Sequence, residues 1–140
     1  GMLFVSGKKM KLWKFPILPA RDKGIEILKT VVNNAPYSKI APHAQFNIGT
    51  AYKKLHKLDK AIAAYNKVIE DYKDSPWYKE SFYQIGLCNY IKSRGSLYNQ
   101  AASKKSADIF HRFLNEFPNS NHTYKAKDAL QKLEGRQANG

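Results

Sequence analysis

The side chains best suited to chemistry in this chain of 140 residues are four histidines and one cysteine, and their spacing assigns them none. His43, His56, His111 and His122 form no His-Glu-x-x-His motif or other i, i+4 pair, the spacing that sets two imidazoles on one helical face for a metal. Cys88 follows Gly86 by two, on what reads as the core side of a helix. The pattern places no histidine and orienting group beside it, so a small buried thiol is expected and not a nucleophile. A single cysteine also excludes an internal disulfide and a cysteine-rich zinc module. Gly95 stands alone, which leaves no glycine-rich loop to cradle a phosphate, and Asn121-His122-Thr123 is a formal glycosylation sequon. No catalytic residue, cofactor or metal is expected, and the chain does not read as an enzyme.

Charge is the stronger signal. Lys and Arg number 24 against 11 acids, a formal +13, which attracts anionic partners: nucleic acid, phospholipid headgroups or an acidic protein. Only Arg21, Arg94, Arg112 and Arg136 offer the planar fork suited to phosphate or guanine, so the basic surface is general and not base-reading. With 43% apolar and 13% aromatic residues the composition is globular. No apolar run approaches the roughly 18 residues needed to cross a bilayer.

The elements that must position these side chains begin after a distinct start. Gly1 reads as a cloning scar, and residues 1–21 as a basic arm carrying Lys8, Lys9, Lys11, Lys14 and Arg21 without an acid. Leu3-Phe4-Val5 is too short for a signal-peptide core, and no cysteine follows to carry a lipid. Two prolines in Leu12–Pro19 are expected to forbid a regular helix there. The arm either drapes on the domain or docks, as a basic-aromatic segment, on a partner or a membrane surface. From Asp22 to Glu134 the apolar spacing is helical throughout. Ile25, Leu28, Val31 and Val32 open it, and Pro36 stops the first segment. Helical blocks follow over 41–55, 59–72, 75–91, the stretch up to Phe117, and 121–134, with residues 135–140 as a tail. The fold class is all-α.

The chain also repeats itself. Ala44–Tyr52 lines up with Ser81–Asn89 at a shift of 37 residues, and Tyr65–Tyr72 with Phe110–Phe117 at a shift of 45. The second unit therefore carries eight extra residues, placed around Gly95, and 92–103 is expected to be an exposed, mobile loop. Ser38, Ser75 and Ser120 recur at the unit boundaries, where each is expected to cap the next helix.

Within a unit the spacing resembles the tetratricopeptide repeat. Ile48-Gly49-x2-Tyr52 with Ala61-x3-Tyr65, and Ile85-Gly86-x2-Asn89 with Ser106-x3-Phe110 and Pro118, fill its pattern. Gly49 and Gly86 are expected to let paired helices approach closely. The predicted architecture is about two full repeats plus flanking half-repeats, stacked as a short right-handed solenoid over 22–134. The turn Asn115-Glu116-Phe117-Pro118-Asn119-Ser120, the enlarged second unit, the helix Lys105–Phe110 and the closing helix Tyr124–Leu133 resemble the outer-membrane assembly lipoproteins of the BamD (ComL-type competence lipoprotein) family. The cell-division coordinator CpoB shares the turns but fits the insertion less well. The sequence departs from the BamD pattern in lacking an N-terminal cysteine, in having about half the repeats and in its basicity.

That resemblance implies a non-enzymatic scaffold at the periplasmic side of the outer membrane, with envelope assembly subunits or unfolded outer-membrane protein segments as partners. Association with the membrane surface fits the charge. Nucleic-acid binding of the DNA-uptake type is the alternative, and the less favoured one. The first helix of each unit is expected to line a concave groove through Phe46, Asn47, Thr50 and Lys53, then Tyr83, Gln84, Leu87 and Tyr90, with Lys125 and Lys132 on the closing helix. The competing reading places Tyr83 and Leu87 in the seam with the neighbouring helix.

Overall fold

The computed structural model describes residues 17–95 and 99–139, with side chains over 23–95 and 99–135. The described part of the chain forms six helices: α1 (Ile17–Asn34), α2 (Ala41–Lys54), α3 (Leu58–Asp71), α4 (Trp77–Ser93), α5 (Gln100–Glu116) and α6 (Thr123–Asn139). Each packs on the next in sequence, and α4 also touches both α2 and α6. The result is an all-α stack of helical hairpins, α2–α3 and α4–α5, with a half-unit at each end. The first helices of successive units thus share one face, and the second helices form the other.

The two repeat glycines set the closeness of each hairpin. A Cβ on Gly49 would lie 2.6 Å from Tyr65 Cε1, and one on Gly86 would lie 2.6 Å from Phe110 Cε1. Both rings are fully buried, so each aromatic lies flat on bare backbone where any side chain would collide. From these contacts the core runs along the stack in three linked clusters. Ile25, Val32 and Ile48 join α1 to α2, and Tyr65, Ile85 and Cys88 join α3 to α4. Phe82, Phe110, Phe113, Leu130 and Leu133 join α4, α5 and α6.

Helix ends follow from local chemistry. α2 closes on Leu55 with His56 in the left-handed region (φ 61°), while Lys57 N–H donates to Tyr52 O and His56 N–H to Lys53 O. This pair of bonds is a Schellman ending, with histidine where glycine is common. Asn99 caps α5 by accepting from Ala102 N–H at 3.0 Å. Ser75 and Ser120 accept from the amides two residues on, Trp77 N–H and His122 N–H, in the turns that lead into α4 and α6. α4 itself starts behind Pro76 without a side-chain cap, where the sequence places Ser75 as its cap. Ser38 does not cap: its hydroxyl is buried with no partner among the described residues.

Three further expectations are corrected. α1 starts at Ile17 and takes in Pro19, because the first-turn amides of a helix have no intrahelical acceptor and a proline there removes nothing. The rest of the basic arm, 1–16, lies outside the described residues. The eight extra residues of the second unit do not make one exposed loop over 92–103. α4 and α5 run to 17 residues each against 14 in α2 and α3, so Lys92, Ser93 and Gln100–Ser103 are helical, and Ser93, Ala102 and Ser103 are buried. The connection narrows to 94–99, where the described Arg94, Gly95 and Asn99 are exposed. α6 continues helically to Asn139, through what reads in the sequence as a tail.

Candidate binding groove

α2, α4 and α6 share the face expected to be concave, and two contacts of the same design hold these helices together. Trp77 and His122 occupy equivalent positions one unit apart, at the starts of α4 and α6. Trp77 covers the preceding helix by stacking on His43, with ring centroids 4.2 Å apart and planes 2° from parallel, and by leaning on Phe46 at 4.8 Å. His122 does the same one unit on: it stacks on Tyr83 at 4.0 Å and 3°, and its Nε2 lies 2.8 Å from Glu80 Oε1. Glu80 is the repeat equivalent of His43, and Tyr83 of Phe46. One clasp is therefore aromatic, the other aromatic and polar.

Between the clasps lie the side chains expected in the groove. Phe46 is half-buried between Tyr65 and Trp77, leaving part of its ring on the open face. Asn47 and Thr50 are also half-buried and line a hollow of about 310 Å³ against Gly24 and Leu28 of α1. The Thr50 hydroxyl meets Tyr65 OH at 3.0 Å. Burial raises the Tyr65 phenol to about 12, a rise that the Thr50 bond moderates. Lys53 Nζ donates to Gln84 Oε1 at 2.7 Å, a bridge from α2 to α4 across the groove floor. Leu87 and Tyr90 are half-buried on the α4–α5–α6 core, and the Arg94 guanidinium lies 5.2 Å over the Tyr90 ring. Lys125 and Lys132 are exposed on α6, the latter paired with Asp128 at 3.1 Å.

Tyr83 sits elsewhere. It is 5% exposed, wedged among Phe110, Phe113 and His122, so its ring belongs to the seam between helices. Phe46 and Tyr83 hold one register position, yet only Phe46 keeps an open edge. The sequence reading missed Trp77, His43, His122 and Arg94, which border or brace the face. The signal was present in the 45-residue offset between Trp77 and His122, but the histidines read as scattered because only one of the pair is an imidazole.

Cys88 is fully buried, and loss of solvation pushes its thiol up to about 11 against the pull of Lys53 and Lys92. Among the described residues no three His, Cys, Asp or Glu side chains are grouped to hold a metal. No helix there is long and apolar enough to cross a membrane.

A search of curated proteins found no match to the chain. The profile of the YfiO family, described as outer membrane lipoprotein, matches residues 21–139, which takes in all but the first few residues of the helical stack. With hairpins of tetratricopeptide spacing and that match over most of its length, the chain belongs to the YfiO (BamD) family of outer-membrane lipoproteins.

Proposed function

We propose that the protein is a non-enzymatic interaction scaffold at the periplasmic side of the outer membrane, working in outer-membrane protein assembly. The concave face of α2, α4 and α6 holds a segment of an assembly subunit or of an unfolded outer-membrane protein. The observation that carries this reading is the row of half-exposed side chains on one face: Phe46, Asn47, Lys53, Gln84, Leu87 and Tyr90. Phe46 and Tyr90 supply rigid contact area, Asn47 and Gln84 can pair with a peptide backbone, and the Lys side chains attract carboxylates. Stacked repeats present such faces to extended ligands.

The test is capture of a urea-unfolded, fluorescently labelled outer-membrane β-barrel protein on dilution. Phe46→Ala with Tyr90→Ala weakens capture by roughly 1–3 kcal/mol, with helicity retained. Normal capture by the double variant sinks the groove as the site. The net charge of +13 favours a second reading, binding to nucleic acid or an anionic surface. Salt separates the two: counterion release makes nucleic-acid affinity fall steeply with ionic strength, whereas an apolar groove responds weakly.

A further inference from the structure

The opposite, convex side carries two clefts related by the repeat, and their linings differ in charge. The second lies between α3 and α5 over α4, with a volume of about 310 Å³. Two carboxylates stand among the three cations of its lining: Lys92 Nζ is 2.5 Å from Asp59 Oδ1, and Asp108 lines the cleft with Lys105 and Arg112. The Lys92 bond and charge, with a smaller pull from Lys105, hold the Asp59 carboxyl below its ordinary range.

The first cleft lies between α1 and α3 over α2 and is larger, about 470 Å³. Lys60 and Lys67 stand where Lys105 and Arg112 stand in the second, but Ala63 replaces Asp108, and no carboxylate is among the described residues that line it. Lys29 from α1 and Lys60 from α3 converge on one ring, their ammonium groups 5.6 and 5.8 Å from the Tyr52 centroid. Lys29 pairs with Glu26 at 3.8 Å and Lys67 with Asp71 at 3.2 Å, neither acid lining the cleft, while Lys60 has no ion pair among the described residues. Below them Val32, Ile48 and Ala64 form an apolar floor.

We propose that this cleft binds an acidic side chain of a partner protein together with an apolar neighbour. The carboxylate sits between Lys29 and Lys60, and the apolar residue lies on Val32 and Ile48. The partner thus supplies the charge that Asp108 supplies to the related cleft. Two ammonium groups aimed at one recessed ring fit a single point anion, whereas a plane of lipid headgroups or a phosphate chain calls for cations spread over a face. These residues are separate from the concave groove, so the inference stands apart from the function proposed above.

The experiment selects short random phage-displayed peptides on the whole chain and on the Lys29→Gln/Lys60→Gln variant. Peptides pairing Asp or Glu with Leu, Ile or Phe are enriched on the parent alone. A fluorescein-labelled winner binds the double variant at least about tenfold more weakly, and loses as much when its own acid becomes Gln. Ala63→Asp, which gives the first cleft the carboxylate of the second, weakens the winner similarly. Phe46→Ala/Tyr90→Ala leaves it unchanged, so failure of the groove and failure of the cleft are told apart. No acidic-apolar enrichment, or equal binding by the double variant, overturns the proposal. So does phosphatidylglycerol-vesicle co-sedimentation that depends on Lys29 and Lys60 while no peptide is selected.

Discussion

Replacing a glycine by alanine in a helix interior ordinarily stabilises it by about 1 kcal/mol, and this chain makes that rule fail at a place that can be named. The Cβ of Gly86→Ala would stand 2.6 Å from Phe110 Cε1, 2.9 Å from Cζ and 3.0 Å from Cδ1. Ordinary contact begins near 3.4 Å, so the ring must retreat by several tenths of an ångström. It is fully buried and backed by Tyr83, which leaves no free direction. Overpacking of this kind costs roughly 1–3 kcal/mol, and after the helix gain the net loss is up to about 2 kcal/mol. For a chain of 140 residues that lowers Tm by up to roughly 8 °C. Gly24→Ala is the internal control. Its Cβ meets nothing within 4 Å, so the same substitution in α1 raises stability by about 1 kcal/mol. Urea and thermal unfolding followed by helical circular dichroism read both. The double variant Gly86→Ala/Phe110→Leu recovers part of the loss, because a smaller, more flexible side chain can yield. A Gly86→Ala protein stabilised by about 1 kcal/mol, as the Gly24→Ala control is, would refute the close-approach argument for both units.

Two deeply buried acids contribute most to alkaline unfolding, beside smaller upward shifts at Tyr72, Tyr78 and Tyr83. Folding raises Tyr65 from its ordinary 10.0 to about 12 and Cys88 from 9.0 to about 11, so the folded state holds protons that the unfolded state releases. Stability is therefore level up to about pH 9 and falls between 9 and 12 by up to roughly 3 kcal/mol per group. Cys88→Ala removes the earlier part of the fall in a pH series of urea midpoints, and a curve that is flat to pH 11 contradicts the assignment. At pH 8 the parent thiol reacts with a disulfide reagent only as fast as the chain opens, and addition of denaturant releases it. His56→Gly stabilises by about 0.5–1 kcal/mol in the same unfolding assay, since glycine takes the left-handed φ of 61° without the Cβ penalty. His122→Ala unstacks Tyr83 and frees Glu80, at a cost of about 1 kcal/mol. Hydrogen exchange then rises in α6 and stays unchanged in α1 to α3.

The seam of this fold is legible in the sequence, and the surface features are much less so. Gly49 with Tyr65, and Gly86 with Phe110, announce themselves because a helix that packs closely needs a missing side chain opposite a large one, and spacing records that need. Depth within the face is not recorded in the same way. Phe46 and Tyr83 share a register position, but one stays half-open and the other is sealed. The difference lies in Trp77 being tilted at 35° to Phe46, while Glu80 holds His122 flat on Tyr83. Those are contacts with the next unit, and periodicity within one helix does not carry them. The eight extra residues mislead for a related reason. Gly95 and Ser93 look like a loop by type, yet Ser93 Oγ donates to Tyr90 O and is buried, so the hydroxyl is absorbed by the helix it was expected to end. Pro19 misleads because the penalty of a proline depends on where the helix begins.

A repeat also sorts residues by the use the fold makes of them. Where the two units agree, in Ile48 and Ile85, Gly49 and Gly86, or Tyr65 and Phe110, the side chains are buried and their common task is packing. Where they disagree the fold has no uniform demand, and the difference is open to selection for something else. Lys53 against Tyr90 and Thr50 against Leu87 vary on the concave face, and each pair changes what a ligand would meet. Tyr52 against Asn89 and Ala63 against Asp108 vary on the convex side, and the second of these puts a carboxylate in the lining of one cleft and none in the other. A stack whose packing positions repeat and whose exposed positions diverge is built to hold different groups along its length. Exchanging Ala63 and Asp108 tests this directly: with the seam untouched, stability should shift by no more than about 0.5 kcal/mol while the acidic-peptide site is lost from the first cleft. Loss of stability well beyond that figure would mean that these positions serve the fold after all.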